Sequence, residues 1–197
     1  MSPTLCKYYI QSYFEVSESR HLPRYHVCSS LLGRCVRYVQ QLTNHSWLLH
    51  DTADQEEWYS EFGIIEGVSK NTWNELSLHT AQTPCKMQDN GGSGKTRQDL
   101  ECMSGYDCGA DGPDDSFGQA FNDHHGGVWA AQVENDGIKA WFFARGSEPL
   151  GWDGANPDPS TWGTPVMNFA GDGCDIQKTF KKMKIVRMRF LVYLSIR

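Results

Sequence analysis

Glu61 and Glu66 stand five residues apart in Glu61-Phe62-Gly63-Ile64-Ile65-Glu66-Gly67-Val68, a run that otherwise reads as β-strand. Two carboxyl groups at one site suit cleavage of a glycosidic bond. One protonates the leaving oxygen, and the other attacks the sugar or activates water. Along a regular strand the side chains alternate faces, so positions five apart point opposite ways. The two acids share a face only if the strand carries a β-bulge, which shifts the phase by one residue. With that bulge the carboxyls can approach to about 5–5.5 Å, the separation of a retaining mechanism. Without it they are two ordinary acids near a strand end.

A site for sugars also needs apolar platforms, because sugar rings present C–H faces. Trp129, Trp141, Trp152 and Trp162 are the candidates. A tryptophan inside a strand of a sandwich usually belongs to the core, so Trp152 and Trp162, in loops rich in Pro and Gly, are the expected cleft residues. Three other clusters carry less. Gly92-Ser93-Gly94-Lys95-Thr96 ends like a phosphate loop, but Asp89 stands where its first glycine belongs and no apolar strand leads into it. The acidic stretch from Asp107 to Asp115 lacks the Asp-x-Asp-x-Asp-Gly order and terminal Glu of a calcium loop. Asp123-His124-His125 offers adjacent donors without a third ligand. No metal and no cofactor is expected.

The elements that position these residues read as β. Val128-Trp129-Ala130-Ala131-Gln132-Val133 faces Ile138-Lys139-Ala140-Trp141-Phe142-Phe143 across Glu134-Asn135-Asp136-Gly137, and the Asp-Gly pair marks a hairpin. Long loops rich in Gly, Pro and Asp separate the strands, which suits an all-β sandwich with loops over one open face. Three regions differ in character. Residues 1–60 are mixed, and Leu31, Leu32, Cys35, Val36, Val39 and Leu42 recur at helical spacing, so an irregular segment with one helix is expected. Residues 61–186 carry the sandwich pattern. Residues 187–197 form a basic, apolar tail, either a strand or adventitious.

A chain of 197 residues can bury one medium core. Its formal charge of −6 hides an asymmetry: from Lys178 onward there are seven Lys or Arg and no acids, which leaves 11 basic against 24 acidic residues before it. An acidic body disfavours a nucleic-acid partner, since phosphates need a positive face, but it is compatible with a neutral polymer. No run of about 18 apolar residues offers a membrane span, and the N-terminal residues lack the apolar core of a signal peptide. Seven cysteines leave at least one unpaired within the chain. Cys102 and Cys108 enclose a short loop and suit either a disulfide or free thiols, depending on the compartment.

Longer stretches carry a resemblance. Ile64-Ile65-Glu66-Gly67-Val68 with Asn71-Thr72-Trp73-Asn74-Glu75-Leu76-Ser77-Leu78-His79-Thr80, then Phe117-Gly118-Gln119-Ala120-Phe121-Asn122, Asp136-Gly137-Ile138-Lys139-Ala140-Trp141-Phe142-Phe143-Ala144-Arg145-Gly146-Ser147, and Asn156 to Pro165, resemble glycoside hydrolase family sixteen, fungal endo-β-1,3(4)-glucanases (laminarinases) above all. The resemblance covers about 120 residues in order. It implies a concanavalin-like jelly-roll and a secreted enzyme acting on β-glucan by retention, with no specific protein partner. Glu66 would be its acid/base, Glu61 its nucleophile, and His79 would line the substrate cleft. In that family an Asp stands between the two glutamates; here the position is Gly63. Residues 1–60 and 187–197 do not resemble the family's opening and closing strands, so a glucanase domain truncated at both ends is expected, with bare sheet edges and with Cys174 separated from its partner in the closing part. The alternative is a catalytically inactive glucan-binding, or inert, fragment of the same scaffold.

Overall fold

The computed structural model describes residues 7–13, 24–29, 34–38, 45–51, 60–67, 71–80, 84–97, 100–103, 108–152, 157–180 and 183–189; before residue 60 and after residue 180 it describes the backbone. Among these residues thirteen strands make two antiparallel sheets. In chain order they are β1 (Lys7–Tyr13), β2 (Arg24–Ser29), β3 (Arg34–Tyr38), β4 (His45–Asp51), β5 (Glu61–Glu66), β6 (Glu75–His79), β7 (Lys86–Asp89), β8 (Lys95–Thr96), β9 (Cys108–Asp111), β10 (Gly126–Val133), β11 (Gly137–Ala144), β12 (Met167–Gly173) and β13 (Met183–Arg189). One sheet has the order β3-β2-β1-β10-β11-β12-β7, and the other β13-β4-β5-β6-β9-β8. Two short α-helices, α1 (Gly118–Asp123) and α2 (Ile176–Thr179), and a 3-10 helix at Pro159–Thr161 complete the regular structure among the described residues.

Strand alternation decides which residues meet between the sheets. Trp129, Ala131 and Val133 from β10 enter the main core with Ile138 and Ala140 from β11. They meet Phe62, Ile64, Ile65, Leu76 and Leu78 from the other sheet. The odd positions of β6 (Glu75, Ser77, His79) are half-buried on the opposite face. The remaining apolar residues of β10 and β11 (Val128, Ala130, Trp141 and Phe143) form a second cluster on the outer side of the seven-stranded sheet. The 134–137 turn closes as its Asp-Gly pair predicts: Glu134 N–H donates to the Gly137 carbonyl at 2.9 Å, and Val133 sits opposite Ile138.

Three expectations change here. Residues 34–38 are strand, not helix: Cys35 lies opposite Cys28, and Val36 opposite Val27, in the β2–β3 ladder. A β-branched and aromatic segment satisfies its backbone by pairing with a neighbouring strand, and that tertiary ladder overrides an apolar spacing compatible with a helix. Leu31, Leu32, Val39 and Leu42 lie outside the described residues. Bare sheet edges are expected, but the edges of β10 and β5 are occupied: β1 pairs with β10 along the whole of β1, and β4 pairs with β5. Arg187–Arg189, expected to start a separate tail, continue β13 along β4.

Cys174 also has a partner. It is bonded to Cys85, 89 positions earlier, which ties the chain just after β12 to the start of β7. Cys102 is bonded to Cys108. The two links adjoin: Cys102 N–H donates to the Cys85 carbonyl at 2.9 Å. Segment 100–103 thereby connects the two sheets, since Met87 N–H on β7 reaches the Leu100 carbonyl, and Thr80 beside β6 reaches the Cys102 carbonyl at 2.6 Å.

Candidate active site

The bulge that the two glutamates require is present. Gly63 lies opposite Ser77, and Glu66 opposite Glu75, so β5 has Ile64 and Ile65 where β6 has Leu76 alone. The same extra residue shows on the other side, where Trp47 pairs with Ile65 but Leu48 pairs with Gly63. Both isoleucines are buried in the core. Two apolar residues in succession turn inward, and the phase shifts so that Glu66 returns to the face of Glu61 and Gly63. The face of β5 and β6 away from the core therefore carries Glu61, Glu66, Ser77, Glu75 and His79. All five are half-buried.

Asn74 holds this distortion in place. It is fully buried, and its amide oxygen accepts from Glu66 N–H at 2.8 Å while its amide nitrogen donates to the Ile64 carbonyl at 2.8 Å. A bulge removes backbone groups from the ladder, and buried ones need other partners. Asn74 supplies both a donor and an acceptor. Its own N–H donates to Ser116 Oγ at 2.9 Å, and Ser116 Oγ donates to the Pro113 carbonyl at 2.6 Å. Its carbonyl accepts from Gly112 N–H at 2.7 Å. The loop after β9 thus braces the carboxylate strand through one asparagine.

The Glu66 side chain accepts a hydrogen bond from Ser77 Oγ at 2.7 Å on Oε2. Further along the same face, Arg97 donates to Asp111 Oδ1 through Nη2 at 2.8 Å and through Nε at 3.2 Å, and lies 3.5 Å from Glu75 Oε2. Glu75 is the cross-strand neighbour of Glu66. Like charges directly opposite each other destabilise a sheet, and Arg97 offsets this one.

Sequence reasoning singled out Glu61, Glu66 and His79, and the structure places all three on one face, with His79 opposite Glu61. Trp152 and Trp162 lie elsewhere. Trp162 is buried edge-on against Trp141 and Phe143, with ring centroids 5.3 and 5.7 Å away, on the outer side of the seven-stranded sheet; Trp152 packs against the same cluster. That side of the sandwich faces away from the carboxylates. Trp73, 37% exposed just before β6, is an aromatic residue that loop composition did not point to. Ser77 and Asn74 were also missed. The alternation Glu75-x-Ser77-x-His79 was the available signal for Ser77, while the role of Asn74 depends on partners 8 to 42 residues away.

The glycine-rich stretch after β7 has its backbone donors engaged: Ser93 and Gly94 N–H donate to the Pro165 and Val166 carbonyls at 2.9 Å, and the two glycines before them turn on Asp89. Asp89 Oδ1 accepts from Gly91 N–H at 2.9 Å and Gly92 N–H at 3.3 Å, and Oδ2 from Thr96 Oγ1 at 2.7 Å. These bonds, the one from Thr96 foremost, hold the Asp89 carboxyl below its ordinary value of 3.8. The first part of the loop thus folds around its own carboxylate, and the rest is held by the segment before β12. Among the described residues no three of His, Cys, Asp and Glu gather as metal ligands.

A jelly-roll sandwich with two carboxylates on the open face of a bulged strand defines a carbohydrate-active class of fold. Comparison with known proteins specifies it. Residues 46–190 match the family model of the XgeA-like, catalytic GH16 domain, and the chain belongs to glycoside hydrolase family 16. Over 134 residues it is 36% identical to a probable glycosidase of Schizosaccharomyces pombe, covering 64% of this chain and 32% of the relative. Over 132 residues it is 34% identical to endo-1,3(4)-beta-glucanase xgeA of Emericella nidulans, covering 64% of this chain and 20% of that protein. The match therefore spans a third or less of the length of these curated relatives. Among solved structures, an elongating GH family 16 beta-1,3-glucosyltransferase aligns with a TM-score of 0.62 at 27% identity, over 88% of this chain and 67% of that one. Laminarinase 16A from Phanerochaete chrysosporium, solved with 6-O-glucosyl-laminaritriose in donor and acceptor sites, aligns with the same TM-score and identity over 74% of this chain and 52% of its own.

Proposed function

We propose that this chain carries the catalytic site of a retaining endo-glycosidase acting on β-1,3- or mixed β-1,3/1,4-glucan. The observation behind this reading is the bulge at Ile64 and Ile65, which returns Glu66 to the face of Glu61. Glu66 protonates the departing glycosidic oxygen while Glu61 attacks the anomeric carbon. The sugar becomes covalently attached to Glu61. Glu66, now ionised, takes a proton from water, and that water releases the sugar with its configuration retained. His79, opposite Glu61, lines the cleft. Trp73 supplies an exposed aromatic platform for a sugar ring. Trp152 and Trp162, expected from loop composition to line the cleft, serve instead as packing for the outer face.

The two disulfides among the described residues suit a secreted protein, because such bonds persist in oxidising surroundings. The partner is the β-glucan itself.

The test is reducing-sugar release from laminarin. The native chain should release sugar, and Glu66→Gln should lose about 10²–10⁴-fold in kcat, the usual worth of general acid–base catalysis, with an unchanged melting temperature. Laminarin binding without turnover by the native chain would instead favour a glucan-binding module, the reading that Gly63 in place of the family's Asp makes specific.

A further inference from the structure

We infer that Ser77 is a positioning residue for Glu66, and that it can act as one because residue 63 is glycine. The inference rests on Glu66 being the acid/base proposed above. Ser77 sits directly opposite Gly63 across the β5–β6 pair. Its Oγ donates to Glu66 Oε2 at 2.7 Å. The two groups meet in the space that a side chain at residue 63 would fill. A Cβ placed there would lie 2.5 Å from Ser77 Oγ and 2.9 Å from Glu66 Oε2. Real Cβ atoms essentially never come so close, so any side chain at 63 must push the hydroxyl and carboxylate apart. Both are free-ended groups, so the hydrogen bond should yield before the backbone does.

A glutamate has three rotatable bonds and needs an anchor to hold its carboxyl near one geometry. The backbone end of Glu66 is fixed by Asn74 through its N–H. Ser77 fixes the other end. The bond also distinguishes the two oxygens. While Ser77 donates to Oε2, that oxygen is the poorer site for the acid proton. Oε1 is left to carry it to the glycosidic oxygen. Ser77 thus sets both the direction of the acid and the oxygen that delivers its proton.

The test uses the full chain, Ser77→Ala, Ser77→Thr and Gly63→Ala. Each is assayed on laminarin and on a 2,4-dinitrophenyl β-laminaribioside, whose leaving group departs without a proton. Ser77→Ala and Gly63→Ala should each lower kcat on laminarin about 10-fold, a fraction of the usual acid–base contribution. KM should stay within twofold, and so should the initial burst of dinitrophenolate. Ser77→Thr, which keeps the hydroxyl, should recover most of the laminarin rate. A dinitrophenolate burst slowed as much as laminarin turnover, or a loss confined to KM, would overturn the inference. A cycle of melting temperatures for Ser77→Ala, Glu66→Ala and the double variant reads the contact without turnover. Non-additive shifts support it and additive shifts refute it. Should the native chain release nothing from any glucan while the cycle remains non-additive, the Ser77–Glu66 anchor stands and the glycosidase reading falls.

Discussion

His79 lies directly opposite Glu61 across the antiparallel β5–β6 pair, on the near side of a bulge whose far side carries Glu66. Facing residues in such a pair bring their Cβ atoms within about 5.5 Å, so His79 shares the immediate surroundings of the proposed nucleophile. Removing the Glu61 carboxylate should stop formation of the glycosyl-enzyme. Glu61→Ala should therefore abolish laminarin hydrolysis. With an activated aryl donor and added azide, a small anion can enter the vacated space and should yield a glycosyl azide of inverted configuration. Recovery of a retained product from Glu61→Ala would show that another group is the nucleophile.

Asn74 joins the bulge to the loop after β9 through both of its side-chain groups. Asn74→Ala leaves the Glu66 N–H and the Ile64 carbonyl without these partners. A buried orphaned group costs about 1–3 kcal/mol, so chemical denaturation should show a loss of about 2–4 kcal/mol. Turnover should fall further than the remaining folded fraction explains, because the bulge sets the position of Glu66. A variant as stable and active as the native chain would show that the ladder alone holds the bulge.

The disulfides differ in the length of chain they close. Cys85–Cys174 spans 89 positions and Cys102–Cys108 spans 6. Closing a longer loop removes more freedom from the unfolded chain. Replacing Cys85 and Cys174 together by alanine should cost about 2–4 kcal/mol, and the corresponding change at Cys102 and Cys108 less. Denaturant midpoints of the two double variants give the ranking, and a reversed order would contradict it.

The Asp89 carboxyl is held below 3.8 in the folded state, chiefly by the Thr96 hydroxyl. On acidification the unfolded chain takes up this proton first. Stability from Asp89 is therefore complete above the ordinary value and is lost as pH falls through the lower folded-state value. Melting temperatures between pH 6 and pH 2 should drop more steeply for the native chain than for Asp89→Asn. Parallel curves would remove Asp89 as a source of acid sensitivity.

What was legible in the sequence follows a physical division. The hairpin around Asp136-Gly137 is encoded by adjacent residues, and it formed as expected. Glu61 and Glu66 share one face only through a bulge, since periodicity alone puts them apart; the fixing role of Asn74 depends on Ser116, 42 residues away. The Cys85–Cys174 link was missed because residues 89 apart leave no local trace. Trp152 and Trp162 were assigned by loop composition, which cannot say which sheet face a loop covers. Before residue 60, β1 and β4 also pair with strands far along the chain, β10 and β13, while β3, whose apolar spacing allows a helix as well, pairs with its neighbour β2.

The place of β1 between β2 and β10 has a consequence for synthesis. The seam joins Lys7 to Gln132 and Tyr13 to Gly126. At about 5–20 residues per second, a ribosome needs roughly 6–24 s to make the strand that β1 awaits. Through that interval one edge of β1 presents unpaired N–H and C=O groups to any strand nearby, including those of a neighbouring nascent chain. The yield of correctly folded protein should then depend on translation speed and on chaperones that cover the waiting edge.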